Sequence, residues 1–258
     1  MKGKGYWVIR TYRSGNVGEK IKYFIPSERP KSKRQYKSDL RKQAQNDYSA
    51  EKNVARLINA NFKQGDVLLG LDYGAAGYEK LCMTFSGFAD EEEYMQKIRA
   101  AAEHEMKLAV RRVKRELAKN GIDFKYIAIT SDMDGDTGAA VRVHHHLIVN
   151  AEAATIFEKK WTNGGVHVKR LREQEDYTAI AAYFIAQVRK VPDAKKYASS
   201  RNLIRPQPKD RIVTSDAELK PPKGCKLLFR SEYNYYKPQY IRYYIPPVTG
   251  ADQCPMRL

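Results

Sequence analysis

Cysteine is scarce in this chain. Its three copies, Cys82, Cys225 and Cys254, are too few and too scattered for a disulfide framework or a four-thiolate zinc site, which predicts a reducing, cytoplasmic setting. Long apolar runs are missing as well, and a mean hydropathy of −0.66 argues against a membrane-spanning helix. The first residues carry no secretory pattern. No Gly-x4-Gly-Lys-Ser/Thr run occurs, so nothing predicts an ATP-driven motor. Acid is in deficit: 30 Asp+Glu stand against 47 Lys+Arg, and the resulting +17 suits a polyanion, nucleic acid ahead of an anionic membrane surface. At 258 residues the chain can bury one good core with small appended regions.

What is present centres on Val141-Arg-Val-His-His-His-Leu-Ile-Val-Asn150, where three of the five histidines are consecutive. Side chains alternate across a strand, so His144 and His146 share one face, while Val141, Val143, His145, Leu147 and Val149 share the other. Two imidazoles on one face make half a cation site, which an oxygen ligand must complete. The acidic turn Asp132-Met-Asp-Gly-Asp-Thr-Gly138 separates this strand from the β-rich run Phe124 to Ser131. A hairpin there predicts that Asp132, Asp134 or Asp136 reaches the cation.

Elsewhere, residues 6–10 and 21–25 read as an N-terminal hairpin about Ser14-Gly15, residues 27–42 as a basic tether, and residues 49–62 as a short helix. Val67 to Tyr73 reads as a central strand, and Leu81 to Phe85 as either a strand or a loop. Asp90 with Glu93 forms a capping box. It opens a long helix with Met95, Ile98, Ala102, Met106, Ala109, Val113 and Leu117 inward, Arg111, Arg112, Lys114 and Arg115 in solvent, and Asn120-Gly121 as its stop. Residues 153–160 read as a brief helix, and Val166 to Leu171 as a strand with His167 and Lys169 on one side. From Asp176 a helix buries Tyr177, Ile180, Ala181, Phe184 and Val188, leaving Tyr183 one position off that stripe with its hydroxyl reachable. The tail tyrosines (Tyr233, Tyr235, Tyr236, Tyr240, Tyr243 and Tyr244) either stack bases among Lys and Arg or pair with the N-terminal strands.

Taken in order, a mostly apolar strand, a long helix, a hairpin ending in a histidine pair, the Trp161-x-x-Gly164 segment and a helix with an isolated tyrosine resemble the HUH endonucleases. The likeness is to the rolling-circle replication initiators of bacterial plasmids, phages and integrated elements. It runs from about Val67 to Lys190, and Ser200-Arg-Asn-Leu203 with its following prolines is similar to the segment after the tyrosine helix in some members. The resemblance implies an α+β fold, a central antiparallel sheet of about five strands with helices packed on it, in residues 63–195. Residues 1–62 would add the N-terminal strands, basic arm and short helix, and residues 196–258 a basic, tyrosine-rich extension.

It also implies chemistry. His144 and His146 would hold Mg²⁺ or Mn²⁺, and Tyr183 would attack single-stranded origin DNA, leaving a 5′-phosphotyrosine and a free 3′-hydroxyl, with rejoining by reversal. Host helicase and polymerase would unwind and copy. Three positions depart from the family pattern. His145 stands where a hydrophobe is usual. Ser131 stands where Glu is frequent, which makes Asp132 the substitute third ligand. Ala186 and Gln187 stand where a lysine is usual, which makes Lys190 its stand-in. Tyr177 and Tyr183 are six apart, not the four of two-nucleophile members, so one catalytic tyrosine is expected. Relaxases and single-tyrosine transposases share this chemistry, and a non-catalytic nucleic-acid binder is the reading from another class.

Overall fold

The computed structural model describes residues 5–27, 40–83, 90–134, 137–188, 196–232 and 238–247. In chain order it comprises β1 (Gly5–Ser14), β2 (Val17–Pro26), α1 (Leu40–Asn61), β3 (Val67–Leu71), α2 (Ala75–Met83), α3 (Glu91–Lys119), β4 (Tyr126–Met133) and β5 (Ala140–Val149). There follow α4 (Ala154–Lys160), β6 (Val166–Arg170), α5 (Thr178–Ala186), β7 (Ala198–Ser199), β8 (Lys209–Val213), β9 (Lys226–Ser231) and β10 (Gln239–Tyr244). The fold is α+β, as expected, with two five-stranded antiparallel sheets rather than one. Among the described residues no helix is long and apolar enough to cross a membrane.

The chain divides into one unit of Ser38–Leu203 and another of Met1–Lys37 with Ile204–Leu258. This corrects the expected division at 62/63 and 195/196. Helix α1 packs on α5, so it belongs with the histidine strand. Strand β7 pairs with β4, Ser200 bonds Tyr126 through backbone and side chain, and Leu203 is buried beside them, so the first residues of the supposed extension belong there too. The two chain ends meet because β8 and β10 flank the β1–β2 hairpin.

In the Ser38–Leu203 unit the strand order is β6-β3-β5-β4-β7. Helix α3 lies on one face. Its Asp90 carboxylate accepts the Glu93 N–H at 2.8 Å, and Asn120 and left-handed Gly121 (φ 69°) end it. Ile98, Ala102, Met106, Ala109, Val113 and Leu117 pack onto Leu69, Leu71, Val143 and Leu147 of the sheet, while Arg111, Arg112, Lys114 and Arg115 stay in solvent. On the other face α1 and α5 cover Ile127, Ile129 and Ile148 with Val54, Leu57, Ile58, Ala181, Phe184 and Ile185. Each large apolar side chain buried this way contributes roughly 1.5–3 kcal/mol. A one-residue slip of β5 would exchange its two faces, so the double core fixes its register.

The other unit has strand order β8-β1-β2-β10-β9, with Gly15 (φ 60°) turning the first hairpin. Tyr240 and Tyr243 are buried in β10 and pair along β2, so for these tyrosines strand pairing is what the fold uses. Tyr233, Tyr235, Tyr236 and the 28–39 part of the basic tether lie outside the described residues. Helix α1 is longer than expected, and of the run Leu81 to Phe85, read as a strand or loop, the described residues 81–83 end helix α2.

Candidate active site

Strand β5 alternates as its sequence demands. Val143, His145, Leu147 and Val149 are buried toward α3. The ring of His145 is held between the Tyr73 hydroxyl at Nε2 and the Thr130 hydroxyl at Nδ1, each at 3.0 Å. Burial, reinforced by the charges of His144 and His146, pushes its pKa down to about 3. His145 is therefore a neutral, fully bonded core residue.

His144 and His146 project from the opposite face, their rings edge to face with centroids 4.9 Å apart. Helix α5 ends over them. Tyr183, which is 40% exposed, places its hydroxyl 3.3 Å from His146 Nε2, with the two ring centroids 5.2 Å apart. Burial first, then His144, lowers the His146 pKa to about 4 against the opposing hydrogen bond with Gln187. A neutral imidazole is the form that offers a lone pair to a cation.

Two of the carboxylates expected near this pair, Asp132 and Asp134, are engaged elsewhere. Ser131 is the β4 partner of His144 and shares its face, so the next residue, Asp132, turns to the α3 side, where Arg99 binds its carboxylate. Asp134 accepts the Thr137 backbone N–H at 2.7 Å and the Thr137 hydroxyl at 2.8 Å, an ordinary turn closure. Asp136 and Lys190 lie outside the described residues. Among the described residues no group of three or more His, Cys, Asp or Glu has metal-holding geometry.

The oxygen that does reach the pair belongs to Gln187, one helical turn past Tyr183. Its Oε1 is 3.4 Å from His144 Nε2. His144 Nδ1 is 3.0 Å from the Arg142 carbonyl, which can only accept, so Nδ1 carries a proton; with Nδ1 alone protonated, the ring turns a lone pair on Nε2 toward an amide oxygen. Two lone pairs face each other. Among the described residues the buried Gln187 Nε2 has no hydrogen-bond partner. Turning the amide over would satisfy Nε2 and strand Oε1 instead. In that form of His144, a cation shared by its Nε2 and Oε1 of Gln187 would remove the mismatch, and the donor types of His144, His146 and Gln187 suit a divalent metal. In the sequence Gln187 stood only as a missing lysine, and the signal that could have found it was its spacing of four from Tyr183.

Next to the pair the sheet stays open. Gly70 of β3 pairs with His146 on one side and His167 on the other. Beyond His167 an open groove of about 370 Å³ is lined by Leu68, Lys169, Arg172, Glu173 and Ile180. Positive charge is also concentrated away from this unit. Residues 1–37 and 204–258 hold 21 of the 47 Lys+Arg against 7 of the 30 Asp+Glu, a net +14 of the total +17. There Lys22 lies over the Trp7 ring at 5.3 Å and Arg242 over Phe229 at 5.7 Å, and the terminal strands β8 and β9 leave Ile212, Leu227 and Phe229 exposed.

Comparison of the chain with protein-family models, with curated proteins and with solved structures returned no match.

Proposed function

We propose that this chain is a metal-dependent, DNA-nicking and strand-joining enzyme of the HUH endonuclease kind, acting as an initiator of rolling-circle replication. The observation that carries the reading is the approach of the Tyr183 hydroxyl to within 3.3 Å of His146, on the face that also bears His144 and Gln187. His144, His146 and Gln187 would hold Mg²⁺ or Mn²⁺, which when bound would polarise a phosphoryl oxygen and offset charge developing at phosphorus.

Tyr183 supplies the nucleophile. Its exposed hydroxyl loses a proton and attacks the scissile phosphate, forming a 5′-phosphotyrosine and releasing a 3′-hydroxyl that can prime synthesis. Because the covalent link conserves the ester, rejoining needs no nucleotide cofactor. A phenol at a sheet surface cannot reach a phosphate inside a regular duplex, which favours single-stranded or extruded origin DNA. The +14 charge of the terminal segments supplies sequence-independent affinity for it. Unwinding and copying would fall to host helicase and polymerase.

The test uses the full chain, Mn²⁺ and a randomised pool of single-stranded DNA, with protein-linked DNA isolated under denaturing conditions and sequenced. Wild type should yield covalent adducts at a preferred sequence. DNA that is bound but never covalently joined, in Mn²⁺ and in Mg²⁺ alike, would leave a non-catalytic nucleic-acid binder instead.

A further inference from the structure

On the α5 face of the sheet, running out from beside that helix, a cross-strand row comprises His146, Gly70 and His167. Neighbouring strands lie about 4.8 Å apart, so His146 and His167 stand roughly 10 Å from each other across Gly70. The glycine leaves this interval bare: a Cβ built on it would meet nothing closer than the His167 Cβ at 3.5 Å. Tyr183 borders the gap on the His146 side.

His167 does not stand alone. Asp72, two residues past Gly70 and therefore on the same face, lies with Oδ2 2.9 Å from His167 Nε2. The loop Trp161 to Gly165 is wrapped tightly around this aspartate. Its other carboxylate oxygen accepts the Gly165 N–H, its backbone N–H donates to the Gly165 carbonyl at 3.2 Å, and its carbonyl accepts the Trp161 indole N–H at 2.9 Å. A Cβ on Gly164 would come to 2.3 Å from the Asp72 carbonyl oxygen, and one on Gly165 to 2.8 Å from its carboxylate. Only glycine fits at 164, and a side chain at 165 would push the Asp72 carboxylate out of place.

Such fixation is out of proportion to any stabilising role. The side chains of His167 and Asp72 are 74% and 48% exposed, and ion pairs that open to water add little to stability. The hydrogen bond from His167, followed by that from Gly165, holds the Asp72 carboxyl below its ordinary range, and the charge of His144 acts in the same direction. An anchored carboxylate orienting an exposed imidazole is the arrangement that prepares a histidine to carry a proton.

In-line displacement at phosphorus places the attacking and departing oxygens on opposite sides. Tyr183 and His167 flank Gly70 from opposite sides. We propose that His167, oriented by Asp72, gives a proton to the departing 3′ oxygen as Tyr183 attacks, and takes it back when the strand is rejoined. This role rests on the nicking reading above. The Tyr183 oxygen–phosphorus bond forms, the bond from phosphorus to the 3′ oxygen breaks, and that oxygen keeps the electron pair and receives the proton from His167. With Nε2 engaged by Asp72, Nδ1 carries it. The phenolic proton leaves to solvent and His167 is reprotonated from solvent, so one proton passes in net from Tyr183 to the 3′-hydroxyl. His167 is thus a catalytic residue and Asp72 a positioning residue.

The experiment compares two oligonucleotides of the sequence recovered as covalent adduct from the randomised pool. One is natural; the other has sulfur in place of the bridging 3′ oxygen at the scissile link. A thiolate departs without protonation. With the natural strand and Mn²⁺, His167→Ala should form adduct about 10² to 10⁴ times more slowly than wild type, and Asp72→Asn should be slowed less. On the sulfur-bridged strand both variants should come within a few-fold of wild type, with His167→Gln behaving as His167→Ala. Full activity of His167→Ala on the natural strand would overturn the proposal. So would an equal defect on both strands, which would mean that His167 only shapes the groove. If wild type yielded no adduct from the randomised pool in the first place, the nicking reading would fail and this role with it.

Discussion

The hydroxyl of Tyr183 and Nε2 of His146 lie 3.3 Å apart, although 37 residues separate them in the chain. That closeness makes the first prediction. Tyr183→Phe should abolish covalent attachment to DNA while leaving affinity for the same strand within about threefold. Because Tyr183 is 40% exposed, the change should shift stability by under about 1 kcal/mol. Adduct formation by the phenylalanine variant would exclude Tyr183 as nucleophile.

Gln187 and Asp132 should separate in a metal titration. Gln187→Ala removes the oxygen that faces His144 and should weaken Mn²⁺ binding about tenfold or more. Asp132→Ala should leave Mn²⁺ affinity unchanged yet cost about 2 kcal/mol in denaturant, since it strands the partly buried Arg99. Calorimetry showing the reverse order would return Asp132 to the metal.

His145 makes the fold acid-sensitive. Its pKa is about 3 in the folded chain, against about 6.5 for an unperturbed histidine. Below pH 6.5 the unfolded chain binds a proton that the folded chain refuses, so this contribution to stability is full above that pH. It falls by roughly 1.4 kcal/mol per pH unit on the way to pH 3. His146, pushed to about 4, adds a second loss of the same sign. Unfolding measured from pH 8 to pH 4 should therefore be steep in wild type and shallower in His145→Asn. An unchanged slope in that variant would place the acid sensitivity elsewhere.

Gly70 sets the width of the site. Gly70→Ala should fold and retain most adduct formation, because a Cβ there meets the His167 Cβ only at an ordinary 3.5 Å. Gly70→Leu should also fold, yet lose adduct formation at least tenfold by filling the floor between His146 and His167. Equal activity of alanine and leucine variants would show that DNA does not cross this glycine.

Binding of single-stranded DNA should fall steeply with salt, at about 0.7 in log–log slope for each phosphate neutralised. Lys209 and Arg211, exposed on β8, are suitable probes. Replacing both by Gln should reduce the slope by about 1.4 if each meets one phosphate. A slope equal to that of wild type would remove β8 from the DNA path.

Local pattern was enough for much of this. The capping box at Asp90, the stripe from Ile98 to Leu117 and the split of His144 and His146 from His145 all follow from helical and strand periods that each segment carries in itself. Local pattern misled at Asp132: Ser131 pairs with His144 and takes its face, so the next residue along β4 turns its carboxylate to the α3 side. It was silent on Gln187, whose partner strand lies about forty residues away in sequence, and on Asp72, whose role depends on where the Trp161 loop returns.

The amino-acid order alone thus determined the alternation that puts two imidazoles on one face of a strand, the helix that presents Tyr183 outward, and the excess of positive charge. Only the folded chain decided which oxygen meets the histidines, which aspartate is held against His167, and that the two chain ends build a sheet of their own. The physical reason is that periodicity is a property of neighbouring residues, whereas those three outcomes need segments far apart in the chain to pair in one particular register.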